Sequence, residues 1–122
     1  MLFRSRIIVT FLGLGLAAAA SHAHHGWAWT EDGKFELTGL VSEAKLGNPH
    51  GVLKVDVEGK IWTVEVGQPW RNERAGLSEA MLAPGAELKI VGKRSANAKD
   101  RLMKAERVMI NGTVHDLYPD RK

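Results

Sequence analysis

The chain has 122 residues and no cysteine, and its lysines and arginines outnumber its acidic residues by three. This length fits one small domain, and a chain without cysteine excludes a disulfide framework, so the fold depends on its apolar core. The positive charge is not concentrated in any stretch, which argues against nucleic-acid binding, because such proteins usually gather basic residues on one face.

The first 23 residues have the organisation of a secretory signal peptide. Arg4 and Arg6 form a short basic start, residues 7–20 are apolar and uncharged, and Ser21-His22-Ala23 gives the small-x-small pattern that precedes cleavage. An uncleaved membrane anchor is the alternative, but the apolar run is shorter than the ~20 residues that cross a bilayer as a helix. We expect cleavage after Ala23, a periplasmic or secreted mature protein of net charge +1, and membrane contact only before cleavage.

The first half of the mature chain predicts an antiparallel meander of three strands. From Phe35 onward, apolar and polar residues alternate with the period of a half-buried strand, and Gly39 within it indicates a bend or a close backbone approach. Turn-forming residues 47–51 end this strand. The second strand is VLKVDV, and Glu58-Gly59-Lys60 connects it tightly to a third, IWTVEV.

The segment after the third strand has helical character. Pro69 suits a first helical turn, and Gly76 marks its end. Ser78 is positioned to cap a second turn, which Pro84-Gly85 ends. Two short helical turns are therefore expected between the third and fourth strands.

Strand periodicity then returns in ELKIVGK, at residues 87–93, and again from Leu102 to Ile110. The apolar positions of the later strand change parity, for which a β-bulge is one explanation. Asn111-Gly112 is the strongest hairpin signal of the chain and leads into TVHDLY.

This order of elements predicts a mainly β fold, a small OB-like (oligonucleotide/oligosaccharide-binding) five-stranded barrel with short helical turns between strands three and four. An open sheet with so few covering helices would leave a face or an edge exposed, although an open meander is the alternative. The expected organisation is a signal peptide over residues 1–23, a His/Trp-rich segment over 24–33, the OB-like domain over 34–118 and a C-terminal tail over 119–122.

The histidines suggest a metal site. Cleavage after Ala23 makes His24 the first residue, so that its amine and its imidazole can chelate one ion, and a further imidazole completes a T-shaped set of three nitrogens that suits copper or nickel. His50, on a loop, is the best further donor, whereas the side chain of adjacent His25 points away in an extended segment. The candidate metal ligands are His24, His25, His50 and His115, with copper as the candidate ion. Solvated or turn-capping histidines are the alternative.

Aromatic residues suggest a second kind of site. Trp27 and Trp29 have the spacing of one strand face, where they can stack on a sugar or cover the open end of the domain's own core. Together with Asn48 and Trp70 they form the candidate ligand-binding set. Glu65 is expected on a solvated strand face, because no recognisable catalytic constellation accompanies it, and the sequence does not favour an enzyme.

Together these features resemble the DUF6152 family of small secreted bacterial proteins of unknown function, over about residues 24–112. The most specific parts are the His24-His25 pair, the Asn48-Pro49-His50 turn and Pro84-Gly85 before strand four. The chain departs from the family at Gly26-Trp27, where a phenylalanine is typical, and at Ala86, where an acid is common. The resemblance implies an exported OB-like domain, and it implies that the histidine pair and the turn belong to one shared family pattern. It implies no established activity.

We therefore hypothesise an exported, non-enzymatic module that binds a transition-metal ion, with copper as the leading candidate. The ligands are its processed N-terminal histidines and the turn at residues 48–50. The alternative is an OB-like domain that binds a glycan, a peptide or a protein partner without metal. Both hypotheses involve a periplasmic partner or small ligand and neither involves nucleic acid.

Overall fold

The structure, a computed structural model, describes residues 26–121, so the predicted signal peptide, His24 and His25 lie outside the described residues. Within this range no helix is long and apolar enough to cross a membrane. The described elements are β1 (Phe35–Lys45), β2 (Val52–Val57), β3 (Lys60–Glu65), α1 (Pro69–Arg74), a 3-10 turn (Glu79–Leu82), β4 (Glu87–Arg94), β5 (Leu102–Ile110) and β6 (Thr113–Asp116). The fold is mainly β, with both helical turns between β3 and β4 as predicted.

The strands close into a five-stranded barrel. β1 pairs antiparallel with both β2 and β4, β2 pairs with β3, and β4 pairs with β5. A short parallel pairing of β3 with the start of β5 completes the circle. β6 pairs with the second half of β5, beyond the part that β3 covers. The predicted OB-like barrel is confirmed, and closure leaves few unpaired strand edges.

The barrel interior is filled by aliphatic side chains that alternate with exposed ones along the strands. Val64 and Val66 point inward, and Trp62 packs against the core while it stacks on Phe35, with 5.2 Å between ring centroids. The core side chains with no exposed surface are Leu53, Val55, Val64, Leu88, Ile90, Met103, Ala105, Val108 and Leu117.

Two local predictions about the strands are confirmed. A Cβ on Gly39 would lie 2.4 Å from the carbonyl oxygen of Asp56, so β1 and β2 can approach this closely only with glycine there. In the β4–β5 pairing Val91 lies opposite Arg107 and the next residue of β4 lies opposite Ala105, so Glu106 is the extra residue of a bulge. This bulge accounts for the change of apolar parity along β5.

Candidate functional site

A cavity of about 240 Å³ lies beside the parallel pairing of β3 and β5. It brings together the first described residues, the loop between β1 and β2, the start of α1, β5 and the C-terminal segment. The lining residues are Gly26, Pro49, His50, Val66, Gln68, Lys104 and Tyr118. Residues from five separate parts of the chain thus surround one space, and one of them is a predicted metal ligand.

The Glu65 carboxylate lies next to this cavity and contacts His50. Nε2 of His50 lies 3.2 Å from Oε1 of Glu65, and the Glu65 side chain is only 8% exposed. Lys104 is the register partner of Glu65 across the β3–β5 pairing. The prediction of a solvated face for Glu65 is wrong, because the loop that carries His50 folds over the end of β3 and β5 pairs with its outer edge.

The ring of His50 is held in one orientation. Its Nδ1 lies 3.2 Å from the carbonyl oxygen of Gly51, and since a carbonyl oxygen only accepts, Nδ1 is the donor in this bond. The other nitrogen, Nε2, therefore faces Glu65. Metal-ligating histidines usually have this arrangement: one ring nitrogen donates a hydrogen bond to a backbone carbonyl, and this bond fixes the direction of the other ring nitrogen.

The loop that presents His50 is fastened to the segment before α1 by its own backbone. The Gly51 N–H donates to the Gly67 carbonyl at 2.8 Å, and the Gly51 carbonyl accepts from Val66 N–H at 3.0 Å. The buried Asn72 side chain then holds both sides of Gly67, because Oδ1 accepts from its N–H at 2.8 Å and Nδ2 donates to its carbonyl at 2.7 Å. A Cβ on Gly51 would lie 2.6 Å from a methyl of Val66 and 2.8 Å from a methyl of Leu46, so a larger residue here would have to displace these side chains.

Lys104 fastens the N-terminal segment to the cavity. Its Nζ donates to the carbonyl oxygen of Gly26 at 2.9 Å and lies 4.8 Å from the centre of the Trp27 ring. Burial lowers the pKa of Lys104, although the negative charge of Glu65 opposes this shift. Burial also raises the pKa of Tyr118 on the opposite wall. The cavity is therefore a partly desolvated space with several polar groups.

Trp27 holds the same segment against the C-terminal part of the chain. Its ring meets the Tyr118 ring edge to face at 5.0 Å between centroids, and the Arg121 guanidinium lies 3.7 Å from its centre. Residues 26–29 form a turn, in which Thr30 N–H donates to the Trp27 carbonyl at 3.1 Å. The expected strand spacing of Trp27 and Trp29 is thus wrong, because local hydrogen bonds close a turn before the first strand begins.

The other candidate ligand-binding residues lie outside the lining of this cavity. Asn48 is exposed on the loop between β1 and β2. Trp29 is half-buried, and its carbonyl accepts from Ala96 N–H at 3.0 Å on the loop after β4. Trp70 is 54% exposed at the start of α1, with the Arg71 guanidinium 4.5 Å from its ring centre.

His115 lies in a different part of the fold. It is buried on β6, its Nδ1 donates to the Ala75 carbonyl at 2.9 Å, and it lines a second cavity of about 260 Å³ with Met81. Of the two predicted metal ligands that the structure describes, His50 alone lines the cavity that reaches Gly26.

Among residues 26–121 no group of three or more histidine, aspartate or glutamate side chains is arranged to hold a metal ion. Within this range His50 and Glu65 are two adjacent side chains of ligand type. Sequence reasoning placed Glu65 on a solvated face, because its position between two inward-facing valines puts it on the outer face of β3 and gives no sign of its distant partners.

The sequence model of a family of unknown function, DUF6152, matches residues 13–104. The matched range contains both predicted N-terminal histidines, His50, Glu65 and Lys104, and it ends before Tyr118. No match was found among curated proteins.

Proposed function

The chain belongs to the DUF6152 family of unknown function, and from its own residues we propose that it is an exported module that binds a transition-metal ion, copper first. The ligands are the amine and imidazole of His24 after cleavage at Ala23, with His50 as the distant donor. His25 is a further imidazole on the same segment. The protein acts by binding in the periplasm or outside the cell and catalyses no reaction.

The observation that carries this proposal is the position of Gly26. Gly26 lines the same cavity as His50, and it directly follows His25 in the chain. Because successive Cα atoms are 3.8 Å apart, the Cα of His24 lies within about 8 Å of the Cα of Gly26. Both N-terminal histidines are therefore within covalent reach of the cavity that His50 lines.

The contacts of Gly26 and Trp27 support the proposal, because they reduce the entropy that metal binding must overcome. The hydrogen bond from Lys104 and the packing of Trp27 on Tyr118 fix the point from which the N-terminal histidines extend. A ligand segment that is already held near its partner gains affinity from this preorganisation. Three nitrogen donors in a T-shaped set match the preference of Cu(II) and Ni(II) for tetragonal nitrogen sites.

The test begins with the intact mass of the exported protein, which identifies its first residue. Cu(II) titration of the mature protein is then compared with a version that carries one extra residue before His24, and with His50→Gln. We expect both changes to weaken Cu(II) binding at least tenfold. His115→Gln is the matched control, with unchanged Cu(II) affinity expected because His115 lines another cavity. Equal Cu(II) affinity of the extended and mature proteins would contradict chelation by His24.

A second candidate function is binding of a glycan or peptide without metal. The observation in its favour is Trp70, a large exposed aromatic ring next to Arg71. This function can be tested by calorimetry, in which a panel of soluble oligosaccharides is titrated into the wild type and into Trp70→Ala. Binding that is lost in Trp70→Ala and indifferent to Cu(II) would support this function, and no binding to the wild type would remove glycans from consideration.

A further inference from the structure

The contact between His50 and Glu65 has the geometry of two ligands on one ion. Nε2 and Oε1 are 3.2 Å apart, and an ion bonded to both at about 2.0–2.1 Å would subtend an angle of about 100° between them. This angle lies between the values for square-planar and tetrahedral coordination. This spacing therefore allows one ion to contact both atoms.

The surroundings of Glu65 also suit a metal ligand. The carboxylate is nearly fully buried at the end of β3, and burial of a carboxylate is costly unless a cation or hydrogen-bond donors compensate it. Lys104, its register partner, already donates to the carbonyl of Gly26. Glu65 therefore lies beside both the ring nitrogen of His50 and Lys104, the residue that holds Gly26.

We propose that Glu65 Oε1 is a direct ligand of the bound ion, beside His50 Nε2 and the N-terminal nitrogens. This inference rests on the proposed metal-binding function and specifies its ligand set as nitrogen plus one carboxylate oxygen. A hard, charged oxygen donor favours a divalent ion over Cu(I), which prefers soft ligands. The site is thereby selective for Cu(II) over Cu(I), and the protein takes the ion in its oxidised form.

The test compares Glu65→Gln with the wild type in the mature protein. The amide keeps the size of the side chain and an oxygen atom beside His50 while it removes the charge. Cu(II) affinity, measured by competition with a chromophoric chelator, is expected to fall by about 10–100-fold, the range for groups that hold or orient a metal ligand. Cu(I) affinity, measured under reducing conditions, is expected to change much less. Glu43→Gln is the matched control, because Glu43 is exposed on β1.

Electron paramagnetic resonance of the Cu(II) protein gives a second readout that needs no variant. In protein labelled with ¹³C at the glutamate carboxyl carbons, a bound carboxylate produces a ¹³C hyperfine coupling to Cu(II). We expect this coupling in the wild type and its loss in Glu65→Gln. Absence of the coupling in the labelled wild type would contradict the proposal even if Glu65→Gln does not fold.

The outcomes separate this inference from the function on which it rests. If the wild type binds Cu(II) and His50→Gln weakens binding, but Glu65→Gln binds equally well and the labelled wild type shows no ¹³C coupling, Glu65 is not a ligand and the metal-binding function stands. If the wild type binds no Cu(II), the proposed function itself is refuted. Equal loss of Cu(I) and Cu(II) affinity in Glu65→Gln would overturn the proposed selectivity.

Discussion

Replacement of Asn72 by alanine tests whether the Asn72 side chain holds the loop that carries His50. Asn72 is buried, and its amide makes two hydrogen bonds to the backbone of Gly67, at 2.8 and 2.7 Å. The Gly67 carbonyl keeps another donor, the Gly51 N–H at 2.8 Å. The Gly67 N–H loses the acceptor that Asn72 provides, and a buried donor without a partner costs about 1–3 kcal/mol.

The expected destabilisation follows from these contacts. Loss of the second hydrogen bond adds about 0.5–1.5 kcal/mol, so we expect the free energy of unfolding of Asn72→Ala to fall by about 2–4 kcal/mol. Asn72→Asp is expected to be no better, because its second oxygen would face the Gly67 carbonyl with no proton to donate. Asn97→Ala is the control, since Asn97 accepts a hydrogen bond from Lys99 N–H in an exposed turn.

Urea unfolding followed by circular dichroism measures this effect, and Cu(II) affinity gives a second readout. Because the Gly67 backbone holds Gly51, which in turn accepts from His50, we expect Asn72→Ala to weaken Cu(II) binding as well as stability. A variant as stable as the wild type would refute the assignment of Asn72 as the clamp of this loop. Reduced stability with unchanged Cu(II) affinity would show that the loop keeps its position without the clamp.

Three further predictions concern the barrel and the cavity. In Gly92→Ala the new Cβ would lie 2.0 Å from the Lys104 carbonyl oxygen. Thermal unfolding should therefore show that the free energy of unfolding falls by about 3 kcal/mol or more. Gly47→Ala is the control, and no change in stability is expected because Gly47 is exposed. Trp27→Ala removes the ring that packs on Tyr118 and Arg121. Cu(II) affinity should fall about 5–30-fold if aromatic and cation–π contacts of about 1–2 kcal/mol preorganise the N-terminal segment. An unchanged affinity would show that the segment needs no such support. Burial lowers the pKa of Lys104 below 10.5. At pH values between the lowered pKa and 10.5, the folded protein therefore binds fewer protons than the unfolded chain. The contribution of Lys104 to the free energy of unfolding consequently rises with pH over this range. Lys104→Met should lack this rise in urea unfolding measured from neutral pH to pH 10.5, and parallel curves for variant and wild type would contradict it.

The alternation of apolar residues was sufficient to predict the barrel, because each strand has one face in the core. The tight connection at Glu58 and Gly59 and the hairpin at Asn111 and Gly112 were also predictable, since positive φ angles at these positions are a property of the local sequence. The change of parity along β5 correctly indicated a bulge. These features depend on residues that are neighbours in the chain.

The candidate site was predictable only in part, because its geometry depends on residues far apart in sequence. Glu65 is buried by contact with His50 and by pairing with Lys104, and neither partner is evident from the local pattern of β3. The separation of His50 and His115 into two cavities is likewise a product of barrel closure. The spacing of Trp27 and Trp29 suits a strand or a turn, and hydrogen bonding decides between them.

The contact between Arg121 and Trp27 brings the C-terminal segment next to the first described residues of the chain. A polyhistidine purification tag attached after Lys122 would therefore place additional imidazoles near the copper ligands that we propose. Such a tag would compete for the ion and conceal the contribution of the natural amino terminus. Metal titrations of this protein should consequently use an untagged chain, or a chain from which the tag has been removed.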